Sequence, residues 1–581
     1  MWDALARVRQ VIDAGGQVTS YDYDADGRLV RITPPAGGAT VLTYDVRGFR
    51  TGVSGPDGSW TFVPDNHGNP VEIANPRGGR TVQQFDALDR VVFSQGPGVV
   101  RQVVHDGYGE EGFFASVTEG GRTRKFVQDG RGRTVAVVEP DGATRTEIFY
   151  NEQDEEIALQ VRYGGALQTC TVLVRDEKGR VIVRRVQDGA FGGTATRALE
   201  WKTFYTAAGR VEREVDPEDR ARLYGWDGQG RLAQIRNGAG PVLREFRYGE
   251  DDRVSEVLWP DPATGTGELV RLEKRTWTAR KELRRVEDRL GFGTTYQYGP
   301  LPGQVTSVTD ALGRRTVTEY DALTQRPSRV IAAAHSPGEA SEIFYTWETG
   351  LLAGVRVWNP QAQAYTAQWT QGYDAAFRPT LLSDPEGVIE ENVFNAGTGD
   401  LDAVISRAGG QERRVTLRRD ALGRMVRAEW TGVASGLLER RLNGLGLVEW
   451  ISDGVSSREM TWETWRGAPV AESLEVGGVP VLPPQFHEVD RAGNYAGYRD
   501  PEGGRHGYPV DEENRPVGVT YQGVPVVERR YRVGGLVARE VRRDAAGREV
   551  ARTDFRYDKV GRPTRAVTVE TATGEVVGDW E

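Results

Sequence analysis

The stretch Tyr21-Asp22-Tyr23-Asp24-Ala25-Asp26-Gly27-Arg28-Leu29-Val30-Arg31-Ile32 constrains this chain more than any other feature, because degenerate copies of it recur from one end to the other. The copies return about every 21 to 30 residues, and with the weaker ones in phase they make roughly 25 units, which is the signature of a repeat array. Tyr21, Tyr23 and then Leu29 or Ile32 give large residues to a pleated surface, while Asp24 and Gly27 are turn residues three apart. An aspartate accepts hydrogen bonds from amides two or three residues on, and a glycine takes positive φ without a Cβ clash. The local expectation is strand, tight turn, strand, with a hairpin loop of four or five residues.

The copies decide the architecture. They include Tyr44-Asp45-Val46-Arg47-Gly48, Phe85-Asp86-Ala87-Leu88-Asp89-Arg90, Gln128-Asp129-Gly130-Arg131-Gly132-Arg133 and Arg175-Asp176-Glu177-Lys178-Gly179-Arg180. Further on come Trp226-Asp227-Gly228-Gln229-Gly230-Arg231-Leu232, Tyr320-Asp321-Ala322-Leu323 and Arg419-Asp420-Ala421-Leu422-Gly423-Arg424. Val489-Asp490-Arg491-Ala492-Gly493-Asn494 and Tyr557-Asp558-Lys559-Val560-Gly561-Arg562 close the series. The chain starts inside a repeat: Met1-Trp2-Asp3-Ala4-Leu5-Ala6-Arg7-Val8 is a worn copy with Trp2 for the tyrosine and Ala6 at the glycine position. A second signal lies half a period away, in Pro56-Asp57-Gly58, Pro140-Asp141-Gly142, Asp310-Ala311-Leu312-Gly313, Asp384-Pro385-Glu386-Gly387 and Asp500-Pro501-Glu502-Gly503. Proline after aspartate presets the first central φ of a turn that glycine closes, so each unit has two turns and two strands.

Tyr-x-Tyr-Asp-x-x-Gly-Arg-Leu alternating with Asp-Pro-x-Gly resembles the YD repeat of the Rhs (rearrangement hotspot) proteins, shared with bacterial insecticidal-toxin shells and animal teneurins, and the resemblance runs along essentially all 581 residues. It implies an all-β fold in which the hairpin array winds into a spiral β-sheet shell, hollow and cocoon-like, enclosing a toxic C-terminal segment in bacterial members. Complete bacterial members are expected to carry a plug or adapter region before the repeats and a self-cleaving core segment after them. This chain ends at Asp579-Trp580-Glu581 with neither, so it reads as part of a complete shell, one continuous array over residues 1–581 without a separate catalytic or toxin domain.

Composition fits a thin wall. Hydrophobic residues are 38% and glycines number 73, so a long chain lacks the apolar residues for a large core. Basic and acidic residues, 74 and 84, are interspersed to a net charge of -10, without the basic stripe that nucleic acid requires. Neither a signal peptide nor an apolar run long enough to cross a bilayer is visible, so membrane insertion is not expected. The single Cys170 permits no internal disulfide and sits in a strand-like run. Repeat spacing lengthens around 189–201, 260–268, 332–341 and 469–486, which read as longer loops within the array.

The motifs of chemistry return little. Asp22-Tyr23-Asp24-Ala25-Asp26-Gly27 opens like a calcium loop, but Thr33 stands where the bidentate glutamate belongs. His67, His105, His335, His487 and His506 lack ligand spacing, and His105 replaces the aromatic before Asp106. There is no nucleophile elbow and no phosphate loop, and Gly265-Thr266-Gly267 lacks a third glycine. No catalytic residue, metal or cofactor is assigned.

The expected function is that of a shell module of an Rhs-type toxin, not an enzyme. Its partners would be a toxin cargo, the remaining shell and cap segments and secretion machinery, with a secreted or cell-surface location implied by the resemblance. The alternative is an extracellular adhesion or carbohydrate-binding module, for which 14 Trp and 21 Tyr could build stacking platforms for glycans. Two further expectations follow. The turn glycines Gly27, Gly230 and Gly423 should have positive φ where the loop glycines Gly265 and Gly267 need not, and the two chain ends, lacking an evident cap, should fray or self-associate.

Overall fold

The structure, a computed structural model, describes all residues except 239, 265–266, 333, 335–339, 433, 501, 512, 534, 559–560 and 581, and the side chains of 482–484. His335 and Gly265 of the sequence reading therefore lie outside the described residues, as do Pro501, Lys559 and Val560. The described residues form 50 β-strands and no helix. Most strands are five to nine residues long, as turn pairs this closely spaced require.

The chain divides into two compact units, Met1–Arg133 with Thr276–Val286 and Gly293–Leu437, and Thr134–Arg275 with Glu287–Phe292 and Leu438–Glu581. Within each, strands pair antiparallel with their neighbours in sequence. In the first unit this holds from Gln10–Ile12 to Arg122–Gln128 and from Gly293–Tyr298 to Met425–Gly432. In the second it holds over Thr134–Val138 to Val254–Pro260, and over Val448–Ser452 to Val576–Trp580.

Nearly every repeat carries a β-bulge at the same place, one residue before the motif aromatic. The register shifts between Asp22 and Tyr23, Thr43 and Tyr44, Gly225 and Trp226, Glu319 and Tyr320, and Arg556 and Tyr557. A bulge bends its strand and increases local twist, and it turns the aromatic out of strict alternation. The period thus encodes a regularly spaced kink as well as a turn.

No conventional core forms. Fifteen apolar side chains other than prolines are buried among the described residues, and the surface totals 32130 Å². A compact protein of 64.1 kDa exposes about 20,000 Å², so most of this sheet has water close by. The strand Val537–Arg543 shows the pattern, because Arg539 and Glu540 point to opposite faces and each is ion-paired across strands. Arg539 donates to Asp554 at 2.6 Å and Arg529 to Glu540 at 3.0 Å. Cys170 is fully buried in the strand Ala166–Arg175, and burial pushes its thiol pKa up, which makes it a packing residue.

In each unit, hairpin tips meet other tips 266 to 300 residues away in sequence. In the first, Asn75 Nδ2 donates to the Ala375 carbonyl at 2.7 Å, Arg326 pairs bidentately with Asp57, and Arg122 pairs with Asp400 at 2.5 Å. In the second, Thr169 donates to the Trp465 carbonyl at 2.9 Å, Arg197 pairs with Glu463, and Arg532 donates to the carbonyls of Pro262 and Ala263 at 2.7 Å each.

One stretch departs from the sequence reading. Residues 469–486 are not a loop: the strands Ala468–Val476 and Val479–Val489 flank a two-residue Gly477-Gly478 turn. Prolines argue against a regular strand, but they are tolerated at bulges, and this pair shifts register twice, between Glu472 and Leu474 and between Leu474 and Glu475.

Candidate functional site

The chemistry of this chain is concentrated in the repeat turn. Asp24 Oδ1 accepts the Arg28 amide at 2.8 Å, Oδ2 accepts Arg28 Nε at 2.7 Å, and the Gly27 amide donates to the Asp24 carbonyl at 3.1 Å. Gly27 has φ +85°. The same arrangement recurs around Asp129 and Arg133 with Gly132, and around Asp176 and Arg180 with Gly179. It recurs again around Asp227 and Arg231 with Gly230, Asp420 and Arg424 with Gly423, and Asp558 and Arg562 with Gly561. Asp3 and Arg7 repeat it too, with Ala6 at φ +58°. Asp45 caps the amides of Arg47 and Phe49, with Gly48 at φ +92°, and there Arg47 supplies the guanidinium. Asp321 closes a turn one residue longer, with Gln325 at φ +57°, which frees Arg326 for Asp57.

The arginine then reaches the next unit, a role that spacing did not reveal. Arg7 lies over the Tyr23 ring at 4.7 Å, Arg28 over Tyr44 at 5.3 Å, Arg180 over Tyr205 at 4.4 Å and Arg231 over Tyr248 at 4.2 Å. The ring's polar atom in turn donates back to the carbonyl of the residue that follows the turn's last position, which is arginine before Leu29 and Val211, Gln304 before Val305 and Leu536 before Val537. Tyr44 Oη donates to Leu29 at 2.8 Å, Tyr320 to Val305 at 2.7 Å, Tyr557 to Val537 at 2.9 Å, and Trp226 Nε1 to Val211 at 2.8 Å. His105 fills this slot through Nε2, 2.9 Å from the Val91 carbonyl, which fixes the proton on Nε2 because a carbonyl only accepts. Where the turn ends in arginine, one repeat is thus tied to the next by a relay of carboxylate, guanidinium, ring and carbonyl. Tyr21, exposed to an intermediate degree, belongs to the strand and not to the relay.

The carboxylates of the calcium-like run serve this relay: Asp24 and Asp26 both hold Arg28, the second at 2.6 Å. Among the described residues no group of three or more His, Cys, Asp or Glu is placed to hold a metal ion. Several turn carboxyls titrate low. The hydrogen bond from Arg90 holds Asp86 down at about 2, and Arg133, Arg180 and Arg314 lower Asp129, Asp176 and Asp310 in the same way. A carboxyl whose folded pKa lies below its unfolded value, about 3.9, adds stability above that value and loses it as pH falls through the folded one. Urea midpoints should therefore be flat from pH 7 to about 4.5 and fall between about pH 4 and 2. A fall already complete by pH 5 would contradict the relay.

The glycine expectation needs one correction. Gly267 also has φ +84°, so it is no control for Gly27, Gly230 and Gly423, at +85°, +83° and +81°. A better control lies inside one turn, since Gly228 is not in the positive-φ region and has open space where a Cβ would stand. Gly230→Val should cost about 1–3 kcal/mol and Gly228→Ala less than about 0.5. Equal costs, read by hydrogen exchange of the strands Ala221–Trp226 and Leu232–Asn237, would contradict this geometry.

With the turn in place, comparison with known proteins is informative. The RHS Repeat family profile matches residues 2–39, 23–59 and 205–242, each of which contains such turns. The fold is similar to the crystal structure of TcdB2-TccC3, at TM-score 0.53 and 13% identity over 99% of this chain and 37% of the other. It is similar also to that assembly without its hypervariable C-terminal region, at 0.53, 12%, 99% and 39%. A third match is the Photorhabdus luminescens Tc holotoxin pore, at 0.52, 12%, 99% and 38%. The chain therefore spans less than two fifths of the chains whose fold it shares.

Proposed function

We propose that this Rhs-repeat protein is a section of the wall of a toxin-encapsulating shell, in which residues 1–581 form one continuous array and act sterically, not catalytically. The observation that carries the proposal is a sheet with charged, cross-strand-paired side chains on both faces, tied tip to tip across 266 to 300 residues in each unit. Where charges are paired across strands in this way, the layer offers little apolar surface on which an unfolded chain could collapse. A polypeptide beside a polar, ion-paired face gains nothing by folding against it, and a protease on the other side does not reach it. The Tc assemblies that share the fold support a cargo, neighbouring shell segments and a secreted location for this chain.

Co-expression with the polypeptide encoded immediately downstream provides the test. The cargo should copurify and survive a protease dose that digests it when free. A cargo cut at the same rate with and without this chain would refute the proposal. So would saturable binding on a glycan array with quenching of localised tryptophans, which would mark an adhesion module instead.

A further inference from the structure

Several turns lack the relay's arginine, as at Asn69, Gln304 and Leu536, and at one such turn the gap borders a cavity. The turn arginine and the aromatic it covers usually stand 16 residues apart, as in Arg28 and Tyr44, Arg210 and Trp226, and Arg378 and Phe394. In the turn that starts at Asp490 the arginine position holds Asn494, and 16 residues on the aromatic position holds Val510. Asn494 keeps the near half of the arginine's role: its amide and Nδ2 donate to Asp490 at 2.8 and 2.9 Å. The Arg220 guanidinium approaches Asp490 Oδ2 only to 3.8 Å, and no ring takes the aromatic position. Asp490 and Val510, the two ends of the vacated slot, line a cavity of about 470 Å³ in the second unit.

The walls of this cavity suit a planar cation. Tyr495 and Tyr508 both line it, their rings stacked at 5.6 Å and 30°, and among the described residues no guanidinium lies over either, unlike the motif rings. Asp490, Glu218 and Asp511 bring three carboxylates, of which Asp511 is held by its own turn arginine, Arg515, at 2.7 Å and Glu218 accepts the Arg491 amide through Oε1, leaving Asp490 and Glu218 Oε2 toward the cavity. Of the two arginines in the wall, Arg220 is held by Asp216 at 2.6 Å and Asn514 at 3.0 Å and lies 3.8 Å from Asp490, and Arg505 is held by both oxygens of Glu488. Gly507 contributes no side chain to the floor. Where the relay is intact, as with Asp24, Arg28 and Tyr44, paired aromatic and carboxylate surfaces of this kind enclose the chain's own arginine.

We propose that the cavity receives an arginine side chain from a bound polypeptide, whose guanidinium stacks on Tyr495 and Tyr508 and replaces the turn arginine that this repeat lacks. The inference needs only the geometry of the relay and holds whether or not the wall encloses a cargo. Cation–π contact and a carboxylate hydrogen bond favour guanidinium over ammonium, because a planar fork stacks and donates at once.

The test is calorimetric titration of the full chain with Gly-Arg-Gly amide, its lysine counterpart and its citrulline counterpart, which keeps the shape without the charge. The arginine peptide should saturate one site, the lysine peptide should bind more weakly, and the citrulline peptide should lose roughly tenfold or more. Asn494→Arg, which supplies the missing side chain in cis, should abolish binding without lowering the urea midpoint. Tyr508→Ala should weaken binding by a similar factor and guards against misfolding of the first variant. Absence of saturable binding, equal affinity for citrulline, or full binding to Asn494→Arg would each overturn the proposal, as would a neutral oligosaccharide that saturates the cavity and displaces the arginine peptide.

Discussion

Arg77→Ala is expected to loosen two distant stretches of the first unit together. Arg77 is the point where the turn after Pro70–Ala74 grips the turn after Ala364–Tyr373. Its Nη2 donates to the Tyr373 carbonyl at 2.7 Å, Nε to the Asp374 carbonyl at 3.1 Å and Nη1 to Thr349 Oγ1 at 3.2 Å. Its side chain is 13% exposed. Truncation removes the side-chain donor of the Tyr373 carbonyl, leaves the Asp374 carbonyl with the Phe377 amide alone, and takes the guanidinium from above Tyr373, a cost of about 2–4 kcal/mol. Hydrogen exchange should accelerate by roughly 30-fold or more in Pro70–Ala74, Arg80–Phe85, Ala364–Tyr373 and Pro379–Ser383 alike. Arg77→Lys should recover less than half of this, because an ammonium does not reproduce a fork aimed at consecutive carbonyls. Acceleration confined to the strands beside residue 77 would show that the tip contact carries no energy.

The second large effect is expected at Asp374, which holds three parts of the relay. Its Oδ1 accepts the amides of Ala376 and Arg378 at 2.8 and 3.0 Å, and Oδ2 accepts Arg378 Nε at 2.8 Å, which sets that guanidinium 4.3 Å above Phe394. Asp374→Ala should cost about 2–3 kcal/mol, combining a lost cap with a loosened cation–π contact. Asp374→Asn should cost about half of that, since an amide oxygen still caps while the charge pairing is lost. The array makes this substitution itself: Asn75, Asn151 and Asn443 cap their turns through Oδ1. If Asn and Ala proved equal, the pairing with arginine and not the cap would be the main source of stability.

The strand-turn-strand period, the turn aspartates and the positive-φ glycines were legible in the sequence because they are local: an Asp and a Gly three apart state a backbone geometry. The arginine was visible as a letter but not as a contact, since its partner ring lies one hairpin further on. The bulge before each aromatic left no composition signal, as any residue type stands there: Asp22, Thr43, Gly225 or Glu319. Stretch 469–486 misled because prolines and glycines that usually mark loops sit at bulges and a two-residue turn. Contacts across 266 to 300 residues, such as Thr169 with Trp465, depend on the summed twist of many strands, which no single repeat specifies. The broken relay at Asn494 and Val510 was legible only once the intact relay was known.

Hydrogen exchange of the co-expressed cargo, measured on the same sample that is challenged with protease, tests the proposed enclosure most directly. Steric sequestration by a polar wall predicts a cargo that resists protease while its amides exchange at nearly the rate of an unfolded chain, alongside protected strands in residues 1–581. A cargo with strongly protected amides that is nevertheless cleaved as fast as the free polypeptide would show that it folds outside the wall and is not enclosed by it.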